Sequence, residues 1–325
     1  MSSLLSLKDL HITFDTPRGK LAAVRGVDLE LLAGESLGVV GESGSGKTVL
    51  SRASMGLLTM STAHRTGTVI FDGKDLSSAP RETVRNTWGT GMAMIFQDPM
   101  TALNPVRRIG SQLTEGLRVR LGMSKKEARD RAIELLKLVR IPDPEKALRK
   151  FPNQLSGGMR QRVMIAIALA CNPKLLFADE PTTALDVTVQ AQILQLLSDL
   201  RKELNMSMVL VTHDLGVVAG HTDKIAVMYA GEVVEYGETK ELFANVRMPY
   251  TEALLNSIPR LDQKSSGRMT VIEGRLPDPT KPESGCAFAS RCPYVQDQCR
   301  HEHPELKQSE NGHQFRCHFP LGVAK

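Results

Sequence analysis

"SLGVVGESGSGKTVLSRASMGLL", residues 36–58, sets a short apolar run, a glycine-rich loop and a helical pattern in immediate succession. The run "SLGVV" has the form of a strand covered on both faces. Gly41 to Thr48 fits G-x-x-x-x-G-K-[ST], and a strand before it with a helix after it is the context in which that pattern binds phosphates. The glycines let backbone N–H groups turn toward a polyanion, and the following helix adds its positive N-terminal end. Gly41, Glu42, Ser43, Gly44, Ser45, Gly46, Lys47 and Thr48 are therefore expected to cradle a nucleotide, with Lys47 on the terminal phosphates and the Thr48 hydroxyl on Mg²⁺.

Outward from that loop, "MAMIF" (92–96), "LLFA" (175–178), "MVLVT" (208–212) and "IAVMY" (225–229) are further buried-strand runs. Helical patterns separate most of them, which implies a parallel α/β core. Before the loop, alternation in "LLSLKDLHITFD" and "LAAVRGVDLELL", with "TPRG" at 16–19 between them, predicts antiparallel strands, and "GTVIFDG" after the loop a third. Between Phe96 and Leu175 lies a helix-rich insertion, read as a helical subdomain over about 98–172, that includes "SKKEARDRAIELLKLVR" with its leucines on one face.

"LLFADE" ends a buried strand in two adjacent carboxylates, a costly arrangement unless a cation or a reaction uses them. Asp179 is expected to hold Mg²⁺ through its water shell and Glu180 to orient and deprotonate the attacking water. Gln97 follows "MAMIF" at a strand tip, where its amide would touch both Mg²⁺ and that water. His213 follows "MVLVT" and would donate to the γ-phosphate. In "LSGGMRQR", Ser156 is placed as a helix N-cap, with Gly157 and Gly158 baring backbone N–H groups as a second anion cradle. Two cradles in one chain suggest two chains facing head to tail.

Together these motifs resemble the nucleotide-binding domain of an ABC transporter, in order and approximate spacing, over residues 1–246. The resemblance implies an α/β P-loop fold: a mixed sheet core, an antiparallel β subdomain and a helical subdomain. It also implies an ATPase. Ser156, Gly157 and Gly158 of one subunit, with Asp186 of the D-loop "TALD" (183–186), would close on ATP held by its partner's Gly41–Thr48. Phe14 would stack on adenine. Met159 stands where glutamine is commonest, Thr183 where serine is, and Phe14 where tyrosine is; none of these departures removes a catalytic group.

The remaining residues, 247–325, differ in composition. Pro249, Pro259, Pro277, Pro279 and Pro282 interrupt helices, and four of the five cysteines gather there. Cys286, Cys292, Cys299 and Cys317 supply four thiols, enough for a [4Fe–4S] cluster, but spacings of five, six and seventeen residues lack the C-x₂-C pairs of common zinc sites. Zinc, with His301, His303, His313 or His318, and free thiols stay open as alternatives. "RMPYTEALLNSIPR", "GRLPDP" and "GCAFASRCP" resemble the C-terminal extension of D-type ATPases of oligopeptide and dipeptide importers, some of which carry such a cluster.

That resemblance implies a second, paralogous ATPase as heterodimer partner, two membrane permeases and an extracytoplasmic solute-binding protein, with this chain peripheral on the cytoplasmic face of the membrane. Related importers carry nickel or sugars, and other ABC ATPases act on ribosomes or DNA. A formal charge of +5, spread without a dominant run, gives no argument for nucleic acid. "VMIAIALAC" is far short of the ~20 residues a membrane helix needs.

Overall fold

The computed structural model describes residues 3–183, 185–258, 272–281 and 283–322. Strands run over Ser3–Thr16 (β1), Gly19–Leu32 (β2), Ser36–Val40 (β3), Ala63–Phe71 (β4), Lys74–Asp75 (β5), Met92–Ile95 (β6), Leu175–Asp179 (β7), Ser207–Thr212 (β8), Lys224–Tyr229 (β9), Glu232–Glu238 (β10), Lys307–Gln308 (β11) and Gln314–Phe315 (β12). The chain divides into two compact units. One holds Leu32–Glu35 and Ala79–Val209, the other Ser2–Leu31, Ser36–Ser78 and Leu210–Lys325, so the division falls inside β8.

In the unit that carries the glycine-rich loop, β2, β1, β4 and β5 form an antiparallel sheet in that order. β1 and β4 pair from Leu5↔Phe71 to Phe14↔Ala63, with an irregularity between Lys8 and His11 where Asp9 takes a left-handed conformation. Leu5, Leu7, Leu10 and Ile12 are buried on β1, the alternation read from the sequence with its phase shifted at that irregularity. A second sheet runs β11-β12-β10-β9-β3-β8. β3 and β9 are parallel, and β9–β10 and β10–β12 antiparallel.

The tail is built into this sheet: Glu235 stands opposite Phe315, and His313 Nε2 meets Glu235 Oε1 at 2.9 Å, both side chains essentially inaccessible. His303 pairs with Glu232 at 2.9 Å, and Arg25 lies 3.6 Å from the same carboxylate. Burial acts to raise the Glu232 pKa, but His303 and Arg25 overcome it and hold the carboxyl below its ordinary value.

In the other unit β6 and β7 pair in parallel from Met92↔Leu175 to Ile95↔Ala178. Every residue of β6, β7 and β8 is buried, as the uninterrupted apolar runs predict. Helices Ile109–Leu121, Lys125–Leu138 and Gly157–Leu169 occupy the insertion. Lys125–Leu138 begins at a capping box, Ser124 with Glu127, and buries Ala128, Ala132, Leu135 and Leu136 along one face. Each buried leucine there contributes about 1.5–3 kcal/mol, so a charged replacement of Leu136 would break the packing before the cap.

One sequence expectation is corrected. Pro249 does not interrupt a helix but opens one, Pro249–Asn256, at a first-turn position where the missing N–H has no intrahelical acceptor to lose. Pro277 and Pro279 lie in a segment without regular structure, and Pro259 and Pro282 lie outside the described residues. Among the described residues, no helix is long and apolar enough to cross a membrane.

Candidate active site

The glycine-rich loop joins β3 to the helix Lys47–Ser54. Gly46 precedes the helix at φ +102°, a conformation closed to most side chains, and a Cβ on it would overlap the carbonyl of Ala23. At Gly41 a Cβ would overlap the carbonyl of Met228. The glycines are thus fixed by close backbone approach. Gly231 N–H donates to Ser45 O, and Arg25 N–H to Gly231 O, which anchors the loop to neighbouring backbone.

Lys47 is buried, and its ammonium donates to Gly41 O at 2.7 Å and Glu42 O at 2.9 Å, while Ser43 and Gly44 face solvent. The Ser45 hydroxyl is enclosed without a hydrogen-bond partner among the described residues. A buried ammonium beneath an exposed glycine-rich turn at a helix start suits a polyphosphate. Thr48 is the helix's second residue, half-buried, and Phe14 stands half-buried on β1.

In the other unit, Asp179 is the last residue of β7 and fully buried. Glu180 follows at φ +45°, a left-handed conformation that costs a residue with a Cβ about 1–2 kcal/mol. Its carboxylate is held from two sides: Gln97 Nε2 donates to Oε2 at 2.7 Å, and the Thr183 hydroxyl to the same oxygen at 3.1 Å. Thr183 was visible in sequence only as a departure from serine. Its hydroxyl, the group the two residues share, positions Glu180.

His213 follows β8 with its side chain exposed. Ser156 caps the helix Gly157–Leu169 by accepting from Met159 N at 3.3 Å, leaving Ser156 and Gly157 exposed at its start. A Cβ on Gly158 would come within 3.0 Å of Val189. Asp186 caps the helix Val187–Glu203 through Val189 N at 2.9 Å, a local role the sequence had not suggested. Ala184, inside the D-loop stretch, lies outside the described residues.

The tail cysteines converge: Cys286, Cys292, Cys299 and Cys317 line one small apolar pocket with Phe288 and Phe319, and all are free thiols. Burial pushes the Cys286 and Cys317 pKa values up to about 11 and raises that of Cys292. The nearby backbone of Phe288, Tyr294 and Phe319 opposes that rise at Cys286, Cys292 and Cys317 respectively without overcoming it. Among the described residues, no group of three or more His, Cys, Asp or Glu side chains forms a site for a metal ion. The histidines named as zinc ligands are engaged elsewhere: His303 and His313 with glutamates, His318 Nε2 with Glu302 O, and His301 beside Asp297. Cys171 is buried far from these in sequence, and burial raises its pKa as well.

Residues 24–183 match the family described as ABC transporter, and residues 234–299 the one described as oligopeptide/dipeptide transporter, C-terminal region. The oligopeptide transport ATP-binding protein OppD of Bacillus subtilis is 52% identical over 296 residues, 91% of this chain and 83% of that protein. The dipeptide transport ATP-binding protein DppD of Escherichia coli is 47% identical over 322 residues, 99% of this chain and 98% of that protein. Among solved structures, the dimeric ATP-binding cassette MJ0796 in a post-hydrolysis state with ADP and Pi is 30% identical, with a TM-score of 0.65. It covers 72% of this chain and 98% of its own.

Proposed function

The chain belongs to the family of ABC transporter ATP-binding subunits, and we propose that it hydrolyses ATP to drive a peptide importer of the dipeptide and oligopeptide class. The observation that carries the cargo class is the extent of the likeness. The likeness to the solved cassette covers 72% of the chain, whereas that to the dipeptide relative covers 99%, and residues 234–299 match the oligopeptide/dipeptide transporter C-terminal region.

In this reading residues 1–246 are the ATPase and 247–325 the importer-type extension. Gly41–Thr48 bind the phosphates, Thr48, Gln97 and Asp179 serve Mg²⁺, and Phe14 stacks on adenine. Glu180 takes the proton of the attacking water, Gln97 and Thr183 orient it, and His213 donates to the γ-phosphate. Ser156, Gly157, Gly158 and Asp186 face the nucleotide of a second, paralogous ATPase. The family implies permease partners and an ATPase dimer; the finer composition, two permeases and an external binding protein with this chain on the cytoplasmic face, follows the importer reading.

Mild-detergent purification of the tagged chain from its native cell is expected to bring down two permeases and a second ATPase, and deleting the chain to abolish uptake of di- and oligopeptides. Recovery of ribosomes or DNA instead, with peptide uptake intact, would refute the reading.

For the tail, we propose that the four cysteines hold a [4Fe–4S] cluster. Four cysteines lining one pocket supply the ligand number that such a cluster takes. Cys286, Cys292, Cys299 and Cys317 would hold it; when bound it would cross-link segments too short to fold alone. Anaerobic purification is expected to give stoichiometric iron and acid-labile sulfide, lost in Cys286→Ser. Stoichiometric zinc without sulfide would overturn the assignment.

A further inference from the structure

Glu42, the second residue of the glycine-rich loop, has each of its polar groups taken. Its carbonyl accepts from Lys47 Nζ, its N–H donates to the Tyr250 hydroxyl at 2.8 Å, and its carboxylate accepts two bonds from Arg291, Nη1 to Oε2 at 2.6 Å and Nη2 to Oε1 at 2.9 Å. Arg291 lies 249 residues away in sequence, in the cysteine-bearing tail.

The guanidinium is saturated. Nε donates to Glu273 O at 2.9 Å, Nη2 also to Ile272 O at 3.0 Å, and Nη1 also to the Tyr229 hydroxyl at 3.3 Å, so its five N–H groups all have acceptors. The Arg291 side chain is 3% exposed, that of Glu42 27%. Its Cζ sits 5.8 Å from the Tyr229 ring centroid, and Tyr229, Tyr250 and Phe288 pack together at 4.5–5.3 Å. The segment that supplies the two carbonyls also reaches the loop: Leu276 Cδ1 lies 3.6 Å from where a Cβ on Gly44 would stand, and Ala22 N–H donates to Pro279 O.

A guanidinium built into so many contacts does more than neutralise a surface acid. Without it, a carboxylate would stand uncompensated on the loop that must receive polyphosphate, and the peptide whose carbonyl orients Lys47 would lose its side-chain anchor. Lysine cannot substitute, because an ammonium presents no planar fork to bridge both oxygens.

We propose that Arg291 is a positioning residue of the nucleotide site: through its two-point grip on Glu42, the tail fixes the first turn of Gly41–Thr48 and cancels a charge that would repel the phosphates. The inference rests on reading that loop as the phosphate cradle. It also gives the tail a role in nucleotide binding, since Arg291 closes the turn Ala289–Arg291 and directly precedes Cys292.

The test is equilibrium binding of ADP to the purified full-length chain, with iron content and melting temperature measured in parallel. Arg291→Ala is expected to weaken ADP roughly 10-fold, the scale of one lost charge-assisted pair, with the loss in turnover falling on KM for ATP more than on kcat. Adding Glu42→Gln to Arg291→Ala should recover part of the affinity by removing the naked charge. Should Arg291→Ala not fold, Arg291→Lys and Tyr250→Phe keep the tail's bulk and rings and are each expected to weaken ADP several-fold at unchanged iron content. A lowered melting temperature with ADP affinity unchanged in these variants would make Arg291 a packing residue and overturn the proposal. Wild type and Lys47→Ala separate the two readings: absence of ADP binding by wild type refutes the cradle itself, whereas wild-type affinity in the Arg291 and Tyr250 variants, with Lys47→Ala impaired, refutes only the positioning role.

Discussion

Glu180→Gln is expected to bind ATP about as tightly as the wild-type chain and to turn it over about 10²–10⁴-fold more slowly, the range for removing a general base. The surrounding geometry makes this a clean substitution. Gln97 Nε2 and the Thr183 hydroxyl both donate to a single oxygen of Glu180. An amide oxygen accepts those two bonds as a carboxylate oxygen does, so the glutamine side chain keeps its place and loses only the ability to take a proton. The left-handed backbone at residue 180 is equally open to either residue. Folding stability should therefore change little while chemistry stops, and in Mg²⁺ and ATP the variant, mixed with its partner ATPase, should accumulate as a closed dimer on size-exclusion chromatography. Near-normal hydrolysis would remove Glu180 from the catalytic role and leave its strained placement unexplained.

Signals that act over a few residues were legible in the sequence. Strand, loop and helix around Gly41–Thr48, the capping serine Ser156 and the fully buried runs of β3, β6, β7 and β8 all came from local pattern, and each is found in the fold. Pairings between distant segments carry no such pattern. Nothing near Thr183 announces that its hydroxyl meets Glu180, and neither Glu42 nor Arg291 hints at the other across 249 residues. Proline was misread at 249 because its meaning depends on whether a helix precedes or follows it, which composition does not say. The tail's attachment was also hidden. β11 and β12 are two residues each, too short for alternation to register, yet β12 joins the tail to the sheet through β10.

Lys47→Ala is expected to weaken ATP and ADP binding about 100-fold or more, and to do so without unfolding the chain. Hydrogen bonds to a charged group contribute about 1.5–3 kcal/mol each, so losing one or two phosphate contacts accounts for a factor of that size at about 1.4 kcal/mol per decade. The same ammonium also bonds Gly41 O and Glu42 O, so part of the loss will come from a loosened loop. That share is bounded by other anchors that alanine leaves alone: Gly231 N–H on Ser45 O, Tyr250 on Glu42 N–H and the Arg291 grip on the Glu42 carboxylate. A fall of only a few degrees in melting temperature is expected, against near-complete loss of nucleotide binding by calorimetry. Lys47→Arg sharpens the distinction, since it restores the positive charge but places a larger, planar head where a buried ammonium fits, and should recover little affinity. If Lys47→Ala bound ATP as wild type does, the loop would be a backbone turn stitched by its own lysine, and the phosphate cradle would have to be sought elsewhere in the fold.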